Sequence, residues 1–169
     1  ADIVDVGGES TRPGSRSVDA DEELQRVLPV VTGLARRGVV VSIDTRRAAV
    51  ARACLDAGAR IVNDVSALQD DPALMSLVAE RAAPAVLMHR KGRPEDKYVV
   101  PPYANVVEEV CQFLVRRAEA CQAAGIARER IAIDPGLGFG KNVQENFDLV
   151  AGAGRLAEAG YPVLIGASR

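Results

Sequence analysis

With 169 residues, 48% of them hydrophobic and 26% charged, the chain has the make-up of a globular protein with material for one buried core. A formal net charge of −2 excludes the basic surface that nucleic acid demands, and no apolar run approaches the ~20 residues of a membrane-spanning helix. Cys54, Cys111 and Cys121 are odd in number, lie in helical patterns and form no Cys-x-x-Cys, which argues against a disulfide framework or a zinc site and predicts buried thiols.

In chain order, Ile3-Val4-Asp5-Val6 is a short apolar strand. Ala1-Asp2-Ile3 leads into it without the basic region of a secretory signal, so a cytoplasmic location is expected. A Gly- and Pro-rich loop runs from Gly7 to about Val18. Leu24, Val27, Leu28 and Val31 then repeat at helical spacing, with Asp19 and Glu22 placed for a capping box. Val39–Ile43 is the next strand. A helix follows over Arg46–Ala57, then a strand over Arg60–Val62, and a helix begins at Asp71-Pro72, where proline's missing N–H costs nothing. Ala85–Met88 is a strand, and a long polar connection from His89 to about Pro102 leads into a helix carrying Val107, Val110, Phe113 and Leu114. Ile131–Ile133 is a strand, Val143–Ala159 a helix, and Val163–Ile165 the last strand.

Six strands and five helices therefore alternate, and the strands are continuous apolar runs, the mark of a parallel sheet covered on both faces. The choice lies between a (β/α)8 barrel and a doubly wound open sheet. Polar residues stand at or just past the C-terminal ends of five strands: Asp5, Asp44, Asn63 with Asp64, His89 and Asp134. In a barrel these ends converge on one mouth, whereas an open sheet uses only the strands at its switch point. The predicted fold is α/β, a (β/α)8 TIM barrel of which the chain covers about six strands and five helices. Residues 1–169 form one partial domain, short of about one βα unit before Ala1 and one or two after Arg169.

Asp134-Pro135-Gly136-Leu137-Gly138-Phe139-Gly140-Lys141 is the densest candidate site. Its spacing fits neither the P-loop, which would need Gly at Pro135 and a hydroxyl at Asn142, nor the dinucleotide fingerprint, which would need Gly at Lys141. Gly7–Gly14 is a second candidate, where Ser10 and Thr11 beside Arg12 suit a phosphate or carboxylate. Asp44, Asn63 and Asp64 gain weight as members of a ring, since Asp or Asn at a strand end is commonly a helix cap, and Thr45 suffices to cap the helix after Asp44. His89 is the only histidine, and no Gly-x-Ser-x-Gly elbow accompanies it, so it is read as structural or mouth-lining. Arg90-Lys91-Gly92-Arg93 is read as a solvated basic loop.

Six segments, Gly7–Gly14, Ser42–Thr45, Asn63–Ser66, Leu87–His89, Asp134–Lys141 and Gly166–Arg169, resemble the dihydropteroate synthases in order and spacing. The resemblance implies a TIM-barrel transferase of folate biosynthesis, which joins 4-aminobenzoate to 6-hydroxymethyl-7,8-dihydropterin pyrophosphate and releases pyrophosphate. It implies that Asp44, Asn63 and Asp134 hydrogen-bond the pterin while Met88 and Gly138 pack around it. Ser10, Thr11 and Arg12 then belong to a loop closing over the pyrophosphate and aniline, and Pro13 and Phe139 flank the aminobenzoate ring. Mg²⁺ is the implied cofactor, with its expected Asn ligand before Ala1 and no ligand within the chain; the Lys-Ser pair and the Arg-x-His that hold pyrophosphate would follow Arg169. A homodimer, small-molecule substrates and sulfonamides as inhibitors are implied too, with neither nucleic acid nor membrane as partner. The competing readings are a non-catalytic pterin-binding paralogue and a corrinoid-type methyltetrahydrofolate methyltransferase barrel. The latter is not expected to carry Glu9-Ser10-Thr11-Arg12-Pro13.

Overall fold

The computed structural model describes residues 1–10, 17–92 and 103–167. Strands β1 (Ile3–Gly7), β2 (Val40–Asp44), β3 (Ile61–Asp64), β4 (Ala85–Met88) and β5 (Ile131–Asp134) form one parallel sheet in consecutive order. Sequential order without reversal is that of a barrel wall, not of a doubly wound sheet, whose order reverses at a switch point. Helices α1 (Ala20–Ala35), α2 (Ala48–Asp56), α3 (Pro72–Glu80) and α4 (Val106–Ala123) connect successive strands, with a single 3₁₀ turn (Arg128–Arg130) before β5.

Two expected elements differ. The segment Val143–Ala159 is broken at Gly152 into α5 (Val143–Ala151) and α6 (Ala153–Ala157). A Cβ at Gly152 would press on the Val107 side chain, so the chain turns there close against α4. The described residues therefore hold six α-helices where five are predicted. The sixth strand is reduced to one bridge, Ile133 to Val163, supported by Ile133 N–H donating to Pro162 O and Leu164 N–H to Ile133 O, both at 2.9 Å. Leu164 and Ile165 beyond it stay 41% and 37% exposed, with β5 on one side only.

The register sorts side chains into two faces, since neighbours along a strand point oppositely. Val41, Ile43, Val62, Ala85, Leu87, Ile131 and Ile133 lie on the helix-covered outer face, each at most 1% exposed. From α1 come Val27 and Val31, from α2 Val50 and Cys54, from α3 Leu74 and Leu77, and from α4 Val110 and Leu114, all in the same core. Cys54, Cys111 and Cys121 are buried free thiols within it, as expected.

Helix starts show how the loops at the mouth are fixed. Asp19 accepts from Glu22 N at 2.8 Å, but the expected capping box is only half formed, because the Glu22 carboxylate turns to Arg26 one helical turn on. Thr45 does not cap α2. Asp71 does so from the next loop, its Oδ2 accepting from Ala48 N at 2.8 Å while its Oδ1 accepts from Ala73 N at the start of α3. A complete capping box occurs at Asn142 and Glu145.

Asp64 lies on the outer face, fully buried, and builds the turn after β3. Its carboxylate accepts from Ser66 N at 2.8 Å, Ser66 Oγ at 2.7 Å and Leu68 N at 2.8 Å. The turn places Ala67 and Leu68 at φ 53° and 59°, and Arg117 of α4 binds the Ala67 carbonyl oxygen through Nε and Nη2. Asp64→Ala is expected to lower the unfolding free energy by about 2–4 kcal/mol, because three buried donors lose their acceptor. Denaturant unfolding of the variant checks this, and a loss within ~0.5 kcal/mol would contradict it.

Candidate active site

The inner face of the sheet carries the opposite alternation: Asp5 and Gly7 on β1, Ser42 and Asp44 on β2, Ile61 and Asn63 on β3, Val86 and Met88 on β4, Ala132 and Asp134 on β5. Of the predicted pterin contacts, Asp44 and Asn63 are register partners and Met88 and Asp134 are register partners, so all four share this face. Asp64, next to Asn63, is turned away from it.

Burial, followed by the like charges of Asp5, Asp64, Glu23 and Glu9, pushes the Asp44 carboxyl up to about 7. Burial pushes Asp134 up to about 6, against the opposing effects of the Gly136 N–H, which donates to Asp134 Oδ1 at 2.7 Å, and of Lys141. Two carboxyls on one apolar-walled face are thus held near the neutral range, short of the donors that would favour their ionised forms. Asn63 Nδ2 donates to Asp5 Oδ2 at 3.1 Å.

The loop after β5 is held from inside by Lys141. Its Nζ lies 2.9 Å from Gly136 O, 3.0 Å from Phe139 O, 3.2 Å from His89 O and 3.0 Å from His89 Nδ1. Burial lowers this amine to about 7. Lys141 therefore ties the loop to the end of β4 and is not a free cation for a phosphate. Gly136 at φ +66° has no room for a Cβ, which would strike the His89 carbonyl oxygen. Gly138, at φ +83°, faces open space, and its N–H donates to Asn146 Oδ1 at 2.7 Å. Phe139 is half-buried beside it. Burial and then the Lys141 charge push His89 down to about 3, and its ring meets Phe113 edge-on at 4.8 Å. A neutral His89 that offers Nδ1 to Lys141 and packs on Phe113 is structural, in line with the sequence reading.

A chain of ion pairs joins four successive loops at the rim. Glu9 after β1 pairs with Arg46 after β2 at 3.2 Å; Arg46 pairs with Asp70 after β3 at 3.1 Å; Asp70 pairs with Arg90 after β4 at 2.5 Å. Arg90 is thus no solvated residue: its side chain is 11% exposed, and Lys91 beside it lies over the Tyr103 ring with Nζ 3.8 Å from the centroid, while Arg93 falls outside the described residues. Arg47 binds Glu9 at 2.8 Å, Val18 O at 2.5 Å and the buried Glu23 of α1. Burial works against ionisation of Glu9, but hydrogen bonds from Ser17, Arg47 and Arg46 outweigh it and hold its carboxyl down at about 2. Glu9 Oε1 also accepts from Ser17 Oγ at 2.8 Å and Val18 N at 3.3 Å, so Glu9 and Ser17–Val18 meet at one place on the rim. Ser10 lies exposed at that point, while Thr11, Arg12 and Pro13 fall outside the described residues. Sequence reasoning placed Asp5 in the ring of strand ends and Glu9 and Lys141 in the two candidate loops without giving them these contacts, and it passed over Arg47 altogether. The even spacing of Asp5 from Ile3 and Gly7 added the face to the strand-end position already read for it.

The family model described as pterin binding enzyme matches residues 1–169. The chain belongs to that family. It is 51% identical over 170 residues to the dihydropteroate synthase of Mycobacterium leprae, covering 100% of this chain and 60% of that one. A solved structure of Xanthomonas albilineans dihydropteroate synthase with 4-aminobenzoic acid superposes with a TM-score of 0.92 at 46% identity, over 99% of this chain and 59% of that one. A Yersinia pestis dihydropteroate synthase structure with a sulfonamide drug complex gives a TM-score of 0.95 at 41% identity, over 99% and 61% respectively. The chain thus spans about 60% of the length of these relatives.

For this pterin-binding family member the inner-face carboxyls carry a stability cost whose sign is set by their titration. Asp44 titrates at about 7 folded against 3.8 ordinarily, so the folded state holds its proton more tightly and loses stability as pH rises through that window. Asp44→Asn is expected to raise the unfolding free energy by about 1–2 kcal/mol at pH 8 and by less at pH 5. Urea titrations at the two pH values check this, and an advantage equal at both would contradict it.

Proposed function

We propose that the full-length protein is a dihydropteroate synthase, which condenses 6-hydroxymethyl-7,8-dihydropterin pyrophosphate with 4-aminobenzoate. The observation that carries the proposal is the inner-face set of Asp44, Asn63 and Asp134, three hydrogen-bonding side chains of a kind that matches a pterin edge, in a chain matched end to end by synthases of that name. A pterin offers amino and ring N–H donors together with ring acceptors. Carboxylates accept from the former, and an amide serves both. Walls such as Met88 and Val86 make an unmatched ligand costly, since its polar groups would leave protein groups unpaired. In this reading Gly138, with open space before it, packs at the pterin, Phe139 and Pro13 flank the aminobenzoate ring, and Ser10, Thr11 and Arg12 serve the pyrophosphate and aniline.

In the proposed reaction the bond from the pterin methylene to the pyrophosphate oxygen breaks. The electron-rich ring supports the resulting cation, the aniline nitrogen adds to the methylene, and that nitrogen loses a proton. Asp44 and Asp134, whose titration burial moves toward the neutral range, release their protons to solvent as they bind pterin N–H groups as carboxylates. No nucleophilic residue or strong base is required, in keeping with a neutral His89 committed to Lys141. Mg²⁺ enters only as a requirement to be assayed. Among the described residues no group of three or more His, Cys, Asp or Glu converges as a metal site, so no ligand in this chain is assigned to the ion and no step is routed through it. A homodimer acting in the cytoplasm, with 4-aminobenzoate and sulfonamides competing for one pocket, is part of the same proposal. No helix among the described residues is long and apolar enough to cross a membrane.

The full-length protein, supplied with Mg²⁺, is expected to release pyrophosphate only when both substrates are present, with one dihydropteroate formed per pyrophosphate. Tight pterin binding without product would overturn the proposal.

A further inference from the structure

Asp5 and Asn63 stand on β1 and β3, with β2 between them. Two strand spacings separate such positions by roughly 9–10 Å, too far for two short side chains on a flat sheet. They meet at 3.1 Å because the wall curves inward and because the intervening inner-face residue at the level of Asp5 is Ser42, which is small. Asn63 is the one amide on the inner face of the strands. An amide can present its oxygen and nitrogen in either order, and the order decides which ligand edge it fits. A carboxylate accepts and does not donate, so Asp5 requires the nitrogen of Asn63 to face β1. Oδ1 and the second N–H of Asn63 are then left to a ligand in one fixed order.

We propose that Asp5 is a positioning residue which sets that order, so that the site selects a heterocycle edge with an amino donor beside an imine nitrogen acceptor. The inference rests on the pterin reading of the site and deepens it: the pterin 2-amino group and N1 form such an edge. In the corresponding lumazine the amino group is replaced by a carbonyl and N1 carries hydrogen, so donor and acceptor exchange places. Asp44 and Asp134, which only accept as carboxylates, have no such choice of order. The carboxylates reject a ligand acceptor wherever it faces them, whereas the order of a donor and an acceptor side by side is read by the amide and by what orients it.

The test uses the full-length protein and two probes, 6-hydroxymethylpterin and 6-hydroxymethyllumazine, with Kd measured for wild type and for Asp5→Asn. The variant keeps the shape of Asp5, but its own amide can donate as well as accept, so Asn63 is held in either order. The wild-type preference for the pterin is expected to fall by about tenfold or more. Asp5→Ser, whose hydroxyl also donates or accepts, is expected to act in the same direction and guards against a folding defect in one variant. In an Asn63→Ala background, Asp5→Asn is expected to change the preference no further. An unchanged preference in both variants, with the wild type binding pterin, would overturn the inference and leave the pterin reading standing. A wild-type protein that binds neither probe would overturn that reading and the inference with it.

Discussion

Alternation along a parallel strand is the constraint on which the remaining structure depends. Each strand places successive side chains on opposite faces, and the consecutive order of the strands keeps those faces continuous from one strand to the next. One face meets the helices and must be filled with apolar groups or with polar groups that the protein satisfies itself. The other is left to whatever enters the mouth. Asn63 and Asp64 make the point within two residues. Asp64 is surrounded by three donors and shapes a turn, whereas Asn63 has one anchoring contact and spare hydrogen-bonding capacity.

The loops that frame the mouth are tied to one another by charge. Glu9, Arg46, Asp70 and Arg90 bind across four consecutive loops, and Arg47 reaches the buried Glu23 on α1. Pairs buried to this degree gain little net stability over apolar packing, but removing one member leaves its partner desolvated and unpaired. Such a network fixes geometry more than it stabilises. On the far side Lys141 performs the equivalent task with carbonyl groups, drawing the glycine-rich loop onto the end of β4. A rim held laterally in this way lets the inner-face groups remain short of partners without the wall deforming to satisfy them.

Much of this was legible in the sequence. Apolar runs and helical stripes located the β/α units, and the polar residues at strand ends indicated a barrel mouth. What escaped the sequence depends on partners far along the chain. Glu23 looks like an ordinary surface glutamate of α1 until Arg47, 24 residues on, covers it. Asp71 caps a helix that begins 23 residues before it, so local capping rules pointed to Thr45 instead. The break at Gly152 follows from the approach of Val107 on another helix, which no helical periodicity within Val143–Ala159 can report. Lys141 was undecidable because its four partners come from two loops. The face of Asp5 was implicit in its parity, but its contact with Asn63 requires the curvature of the wall.

The central claim is that the inner-face polar groups serve a pterin and not the fold. Asp134→Asn in the full-length protein tests it most directly, because it keeps the size of the side chain while removing its capacity to accept as a carboxylate. Pterin affinity and unfolding free energy are measured on the same samples. The account predicts a loss of affinity of about tenfold or more with unfolding free energy unchanged or raised. A matching loss of stability, or pterin affinity left intact, would contradict it.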